Sequence, residues 1–270
     1  MIEFLHTYIP SAVAFTLGPL TMWWYGIGYL VGISCAFALS AWIVRKKGME
    51  ADQLWDVAFW IVLAGLVGAR VWYVIVIDLP YYLDHLIEIP QIWRGGMAIH
   101  GALVGGLIAL WWWCRKKGEA VFQWTDVLVP GVVLGQIIGR FGNWANQELY
   151  GLPTMQPWGI PIDPAHRISG FEESSYFHPM FLYEALLNAL LLAILIALSR
   201  RSKLRAGVVT FAYFVGYGII RSLLDPFRID PVLMIGPVRI TTAVSMVITL
   251  LVFGYGGYAF FATKHFCKRT

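Results

Sequence analysis

The segment Gly139-Arg140-Phe141-Gly142-Asn143-Trp144-Ala145-Asn146-Gln147-Glu148-Leu149-Tyr150-Gly151 sets a guanidinium, amides and a carboxylate one helical turn apart or less. It follows directly on an apolar run, Val127 to Ile138, that reads as a membrane helix. Polar groups beside hydrocarbon are costly unless paired or solvated, so the cluster marks a candidate site. A planar guanidinium next to amide donors suits a phosphate or a carboxylate. The plainer reading is a solvated helix end.

Other residues carry the same kind of signal. Arg221 and Asp225 stand four apart near the end of another apolar run, with Arg228 following. They read either as a satisfied salt bridge or, with Arg140, as two arginines gripping one phosphate while Asp225 steadies a fork. His100 follows the turn-forming Gly95-Gly96-Met97-Ala98-Ile99. An imidazole suits proton transfer, though a lone histidine is equally a hydrogen-bonded core residue. Tyr25 sits in Trp23-Trp24-Tyr25-Gly26, where the tryptophans read as interfacial anchors and the tyrosine hydroxyl can point inward. Arg70 lies deep in the apolar run Phe59–Ile77 and requires a partner: an acid, backbone carbonyls or a lipid phosphate. Glu184, within the apolar run after His178-Pro179, requires one too.

The elements that must hold these residues are membrane helices. Hydrophobic residues make up 59% of the 270 and charged residues 13%, with mean hydropathy +0.66; a soluble chain carries about 25% charged residues. Runs long enough to cross a bilayer fall at about 22–44, 54–77, 97–113, 121–139, 179–199, 207–224 and 239–262. The expectation is an all-α integral membrane protein of seven transmembrane helices. Residues 1–270 would form a single membrane domain, with 140–178 as an outer-side cap insertion.

Basic clusters at Arg45-Lys46-Lys47, Arg115-Lys116-Lys117, Arg200 to Arg205, and Lys264 with Lys268-Arg269 follow every second span. The positive-inside rule assigns that side to the cytoplasm, the N-terminus to the outside and the C-terminus to the inside. The net charge of +4 then reflects topology and gives no reason to expect nucleic acid. All seven lysines lie in those clusters, whereas the basic residues elsewhere, Arg70, Arg94, Arg140, Arg167, Arg221, Arg228 and Arg239, are all arginine. Topology needs charge alone, but bidentate recognition of an oxyanion favours arginine, so an anionic ligand is expected on the outer side. The three cysteines give no disulfide framework, and the six histidines are scattered without zinc-site spacing. Gly131, Gly135 and Gly139, and likewise Gly101 and Gly105, recur every four residues, a spacing that lets helices pack closely in lipid.

Taken in order, Gly95-Gly96-Met97-Ala98-Ile99-His100-Gly101, the Gly139–Gly151 string, His178-Pro179 with Leu182-Tyr183-Glu184, and Arg221 to Arg228 resemble the prolipoprotein diacylglyceryl transferase family. The likeness runs from about Trp23 to the last span. It implies transfer of diacylglyceryl from phosphatidylglycerol to the thiol of the lipobox cysteine in preprolipoprotein signal peptides. A thioether forms and glycerol 1-phosphate is released. Tyr25, His100, Arg140, Asn143, Glu148, Gly151 and Arg221 match the family's essential positions. Of these, the resemblance implies catalytic work for Tyr25, His100, Arg140 and Arg221, and phosphatidylglycerol binding for Arg140, Asn143, Glu148, Gly151 and Arg221. It implies no metal or cofactor, membrane lipids as surroundings, and a bacterial cytoplasmic (inner) membrane with the site toward the outer leaflet. Two positions depart from the family pattern: Asp225 stands where Glu is frequent, and Leu152 where an Arg often follows the glycine.

The competing class is an anionic lipid transporter or flippase, whose arginines would bind the lipid without changing it; no repeat relates the two halves as such folds often show. A metal-dependent phosphotransferase would need paired aspartates, and Asp78, Asp126 and Asp225 form no such motif. The topology has its own test. A cysteine at Ser175 is expected to react with an impermeant thiol reagent in intact cells, and one at Ser202 to stay unlabelled. The opposite pattern overturns the outer-side assignment of 140–178.

Overall fold

The computed structural model describes residues 2–18, 20–201 and 204–230, with the backbone of 234–235 and 238–239. The expected seventh span, 239–262, lies outside the described residues apart from the backbone of Arg239. A short helix α1 (Ile2–Thr7) precedes a hairpin of β1 (Val13–Leu17) and β2 (Leu20–Trp23). Next come α2 (Trp24–Lys46), α3 (Ala51–Trp72), a π-helical turn over Tyr73–Ile77, α4 (Leu79–Asp84), α5 (Ile99–Lys117) and α6 (Val121–Ala145). The pair β3 (Ile160–Pro161) and β4 (Tyr176–Phe177) leads to α7 (Met180–Ser199) and α8 (Val208–Leu224). A last pair, β5 (Met234–Ile235) and β6 (Val238–Arg239), follows.

The protein is thus mainly helical. Five segments, Trp24–Lys46, Ala51–Ile77, Val121–Ala145, Met180–Ser199 and Val208–Phe227, are long and apolar enough to cross a membrane. The expected span at 97–113 is helical as α5, but that helix runs from Ile99 into Arg115-Lys116-Lys117, whose charges with His100 lower its mean hydropathy, and it is not among those five. The short antiparallel pairs were not legible in a reading tuned to long apolar runs.

Two compact units divide the chain, one drawn from 1–39 and 126–270, the other from 40–125. In the first, α6, α7 and α8 share an apolar core of Val133, Met180, Leu191, Leu195, Val209, Ile220 and Leu224. Gly135 of α6 faces Gly32 of α2, where a Cβ on Gly32 would come within 3.6 Å of the opposing backbone. Asp126, buried on α6, accepts from Gly207 N, Thr210 N and Thr210 Oγ1 at 2.7, 2.8 and 2.6 Å and so caps the start of α8. That structural duty occupies one of the aspartates a metal site would have needed. Residues 146–178 build a small core of their own from Tyr150, Ile160, Ile162 and Phe177, joined by Leu5 of α1 and Phe181 of α7.

In the second unit α3 and α5 pack backbone to backbone. A Cβ on Gly101 would collide with Gly68 O and Trp72 Cβ, and one on Gly105 with Ala64 O. The four-residue glycine spacing on α5 therefore serves α3, whereas on α6 Gly135 lies against α2 and Gly139 has nothing within 4 Å of its Cβ position. Arg70, 6% exposed on α3, finds the partners that its burial requires in carbonyls. It donates to Glu88 O, Ile89 O, Gly95 O and Gly96 O at 2.7, 2.6, 2.7 and 2.9 Å, and its guanidinium lies 5.0 Å from the Tyr82 ring centroid. Gly95 and Gly96 adopt φ of 88° and 72°, and a Cβ on Gly96 would sit 2.6 Å from Arg70 Nη1. Only glycine fits that left-handed backbone at such close approach. Arg70 thus ties down the segment that delivers His100, and its donors are spent on backbone.

Close approach of α3 and α5 predicts an asymmetric glycine scan. Gly101→Ala is expected to cost about 1–3 kcal/mol, the range for overpacking, seen as a lower unfolding midpoint in detergent. Gly28→Ala on α2, with nothing within 4 Å of its Cβ position, is expected to leave the midpoint unchanged or raise it. Equal responses would contradict the packing.

Candidate active site

A buried carboxylate organises the polar residues of the first unit. Glu184 sits in the second turn of α7 with its side chain 3% exposed. Its Oε2 faces Arg140 Nη1 of α6 at 3.4 Å, Arg221 Nη1 of α8 at 3.8 Å and Arg228 Nη1 at 3.8 Å. Arg228 also donates from Nε to Asp230 at 2.9 Å. These ion pairs set three guanidiniums against Glu184 and Asp230. The contacts to Glu184 are long for charge-assisted hydrogen bonds, which close to about 2.7–2.9 Å. The carboxylate therefore compensates the arginines without saturating their donors, and Arg140 Nε has no hydrogen-bond partner among the described residues.

The signature segment wraps this cluster. Asn143, 5% exposed, donates to Glu148 Oε1 at 2.7 Å. Glu148 N returns to Asn143 O at 3.0 Å, closing the end of α6. Gln147 and Leu149 on either side of Glu148 have φ of 54° and 55°. That left-handed backbone costs a non-glycine residue roughly 1–3 kcal/mol and persists only where its surroundings over-determine it. Gln147 supplies such constraint, donating to Pro10 O at 2.9 Å and accepting from Asp163 N at 2.8 Å. Gly142 leaves room for Tyr25, whose ring would lie 2.8 Å from a Cβ there. The Tyr29 hydroxyl donates to the Tyr25 hydroxyl oxygen at 3.2 Å, and Tyr29 lies within electrostatic reach of Arg140 and Glu148.

Gly151 is a backbone junction. Its N–H donates to His178 O at 3.0 Å, its neighbour Leu152 N to Phe227 O at 2.8 Å, and it bridges to Arg228. A Cβ would meet Phe227 O at 2.7 Å and His178 Cβ at 2.9 Å, so a side chain here would push apart the strands that seat Arg228. At the same junction His178 Nδ1 lies 3.0 Å from the Tyr183 hydroxyl, which accepts from Trp158 Nε1 at 2.7 Å. Burial holds the His178 imidazole below its usual pKa, which favours the neutral ring that can accept a hydrogen bond from the Tyr183 hydroxyl.

The structure therefore gathers Tyr25, Arg140, Asn143, Glu148, Gly151 and Arg221 in one unit, while His100 belongs to the other. There His100 is exposed at the start of α5 and stacks on Trp72 with centroids 6.2 Å apart. The ion-pair partner of Arg221 is Glu184, where spacing along the chain had suggested Asp225. The arginine bias also divides. Arg70 and Arg167 hold backbone carbonyls, Arg94 pairs with Glu88 at 2.7 Å, and three others converge on Glu184. The Arg239 side chain lies outside the described residues. Arg228 and the His178–Tyr183–Trp158 chain gained no role from the sequence. The one available signal was an acid, Glu184, inside an otherwise apolar helix.

Comparison with known proteins identifies the family. The family model of prolipoprotein diacylglyceryl transferase matches residues 12–258. A protein of Synechocystis sp. named phosphatidylglycerol–prolipoprotein diacylglyceryl transferase is 39% identical over 247 residues, covering 90% of this chain and 87% of its own. Proteins of the same name from Acaryochloris marina and Staphylococcus epidermidis are 38% and 36% identical over 88% of this chain, covering 86% and 85% of their own lengths. The chain belongs to the prolipoprotein diacylglyceryl transferase family.

Proposed function

We propose that this chain transfers the diacylglyceryl group of phosphatidylglycerol to the lipobox cysteine of preprolipoproteins, with the arginine cluster around Glu184 as the phosphate site. The observation that carries the site is the meeting of Arg140, Arg221 and Arg228 on one buried carboxylate. The substrate sulfur attacks the glyceryl carbon and the carbon–oxygen bond to the phosphate breaks. Its electron pair stays on the phosphate oxygen, so glycerol 1-phosphate leaves and a thioether remains. The thiol proton passes to a base, for which His100 is the candidate. Negative charge grows on the departing phosphate, and fixed guanidiniums in a water-poor site stabilise it most strongly at that stage. Asn143 and Glu148 fix the end of α6 that carries Arg140, Gly151 seats the Arg228 segment, and Tyr25 packs on Gly142 beside them. A flippase would bind the same anion; the relatives' names favour chemistry.

The same reading carries the finer topology. Seven helices form one membrane domain in a bacterial inner membrane, the N-terminus outside and the C-terminus cytoplasmic. Residues 140–178 cap the site at the outer leaflet, where lipid and signal peptide arrive together. Alternation of the basic clusters supports the orientation, and the separate small core of 146–178 supports an ordered cap.

Replacing the guanidinium tests the phosphate role. Lysine keeps the charge but loses the planar fork, and a lost charge-assisted contact costs roughly 1.5–3 kcal/mol. Arg140→Lys and Arg221→Lys are each expected to cut transfer about ten- to a hundred-fold, more in turnover than in apparent lipid affinity. Arg201→Lys, in a basic cluster, is expected to change little. The assay follows peptide-linked diacylglycerol formed from phosphatidylglycerol and a lipobox peptide. Near-normal turnover in both site variants would make these arginines structural.

A further inference from the structure

Beneath the arginines the first unit buries more hydrogen-bonding capacity than it uses. On α6 Gln136 stands one turn from Arg140, on α7 Asn188 one turn from Glu184, and on α8 Tyr213 and Tyr217 precede Arg221 at four-residue steps. Gln136 Nε2 donates to the Tyr213 hydroxyl oxygen at 3.0 Å, and Tyr217 lies within electrostatic reach of Glu184 and all three arginines. Among the described residues, however, Glu184 Oε1, Gln136 Oε1, and both Nδ2 and Oδ1 of Asn188 are buried without a hydrogen-bond partner. Asn188 is 0% exposed, on the α7 face that carries Glu184, Leu191 and Leu195 into the core. An amide left unpaired in such surroundings is destabilising, and each such group in a native structure calls for a reason.

The chemistry of the unpaired atoms selects the ligand. Three of the four are acceptors, so a phosphate or an ester carbonyl, which accepts only, leaves them unmet. An ammonium headgroup could donate, but the three guanidiniums already on Glu184 repel a further cation. Neutral hydroxyls donate to Glu184 Oε1, Gln136 Oε1 and Asn188 Oδ1, and accept from Asn188 Nδ2. Glu184 and Asn188 are buried, so this polar face is turned away from the surrounding lipid.

We infer that Glu184 Oε1 and the Asn188 amide form a hydroxyl-recognition subsite for the headgroup glycerol, setting selectivity for a lipid phosphate that carries a diol. The inference rests on the function proposed above. Glu184 thereby has two faces, one oxygen to the arginines and one to the headgroup. Asn188 is a specificity residue that touches the departing portion of the substrate.

The experiment compares phosphatidylglycerol with its propanol analogue, equal in charge but lacking both hydroxyls, in full-length wild type and Asn188→Leu. A site built to bond hydroxyls discriminates against the analogue, and the wild type is expected to prefer phosphatidylglycerol by ~10-fold or more in kcat/KM. Asn188→Leu is expected to lose most of that preference through slower use of phosphatidylglycerol alone, with an unfolding midpoint equal to or above wild type, since leucine removes an unpaired amide. A packing role predicts the reverse: a lower midpoint and both lipids slowed together with their ratio intact, which would overturn the inference. A second measurement needs no variant. Glycerol 1-phosphate is expected to inhibit the wild type more strongly than propyl phosphate, and equal inhibition would also overturn it. Absence of transfer from either lipid by the wild type would instead refute the proposed function.

Discussion

Glu184 is one carboxylate buried among helices long and apolar enough for a membrane, and three guanidiniums depend on it. Each charge alone would be expensive there, because low-dielectric surroundings penalise an unpaired ion by several kcal/mol or so. Sharing Glu184 among three guanidiniums, with Asp230 on Arg228 alone, lowers that cost without removing it. The remainder is a standing preference for a further anion, and it is what makes the cluster a site. Were each arginine matched with its own acid, the same helices would hold a neutral and inert core. Helix packing, the capped start of α8 by Asp126 and the Gly151 junction all act on this cluster by fixing where the guanidiniums can reach.

Local backbone strain serves the same end. Left-handed conformations at Gln147 and Leu149 turn the chain sharply after α6, so that Glu148 folds back on Asn143 at the last turn. Arg140 is therefore held on a helix whose end is closed by side chains and not left to fray. In the other unit Arg70 performs a comparable task with opposite chemistry. It spends its donors on four carbonyls, fixing the Gly95-Gly96 turn ahead of His100. One buried arginine organises backbone, while the cluster at Glu184 keeps donors in reserve.

Much of this was legible in the residues. Apolar run length located the five membrane-length helices, because burial in lipid demands continuous hydrophobicity whatever the tertiary contacts. The signature segment located Arg140, Asn143 and Glu148, since costly polar groups beside hydrocarbon stand out. Partners were harder. Spacing suggested Asp225 for Arg221, but the ion pair reaches Glu184 on another helix, and periodicity along one helix carries no information about its neighbours. The carbonyl partners of Arg70 were one option among three, because backbone acceptors leave no trace in side-chain composition. The β1–β2 hairpin was hidden in a sequence whose strands are as apolar as its helices.

The central claim is that the guanidiniums around Glu184 receive the lipid phosphate. A structure of the full chain with phosphatidylglycerol bound tests it most directly. The account predicts phosphate oxygens within about 3 Å of both Arg140 and Arg221, with Glu184 still buried behind them. A phosphate bound elsewhere, with the three arginines still closed on Glu184 alone, would contradict it.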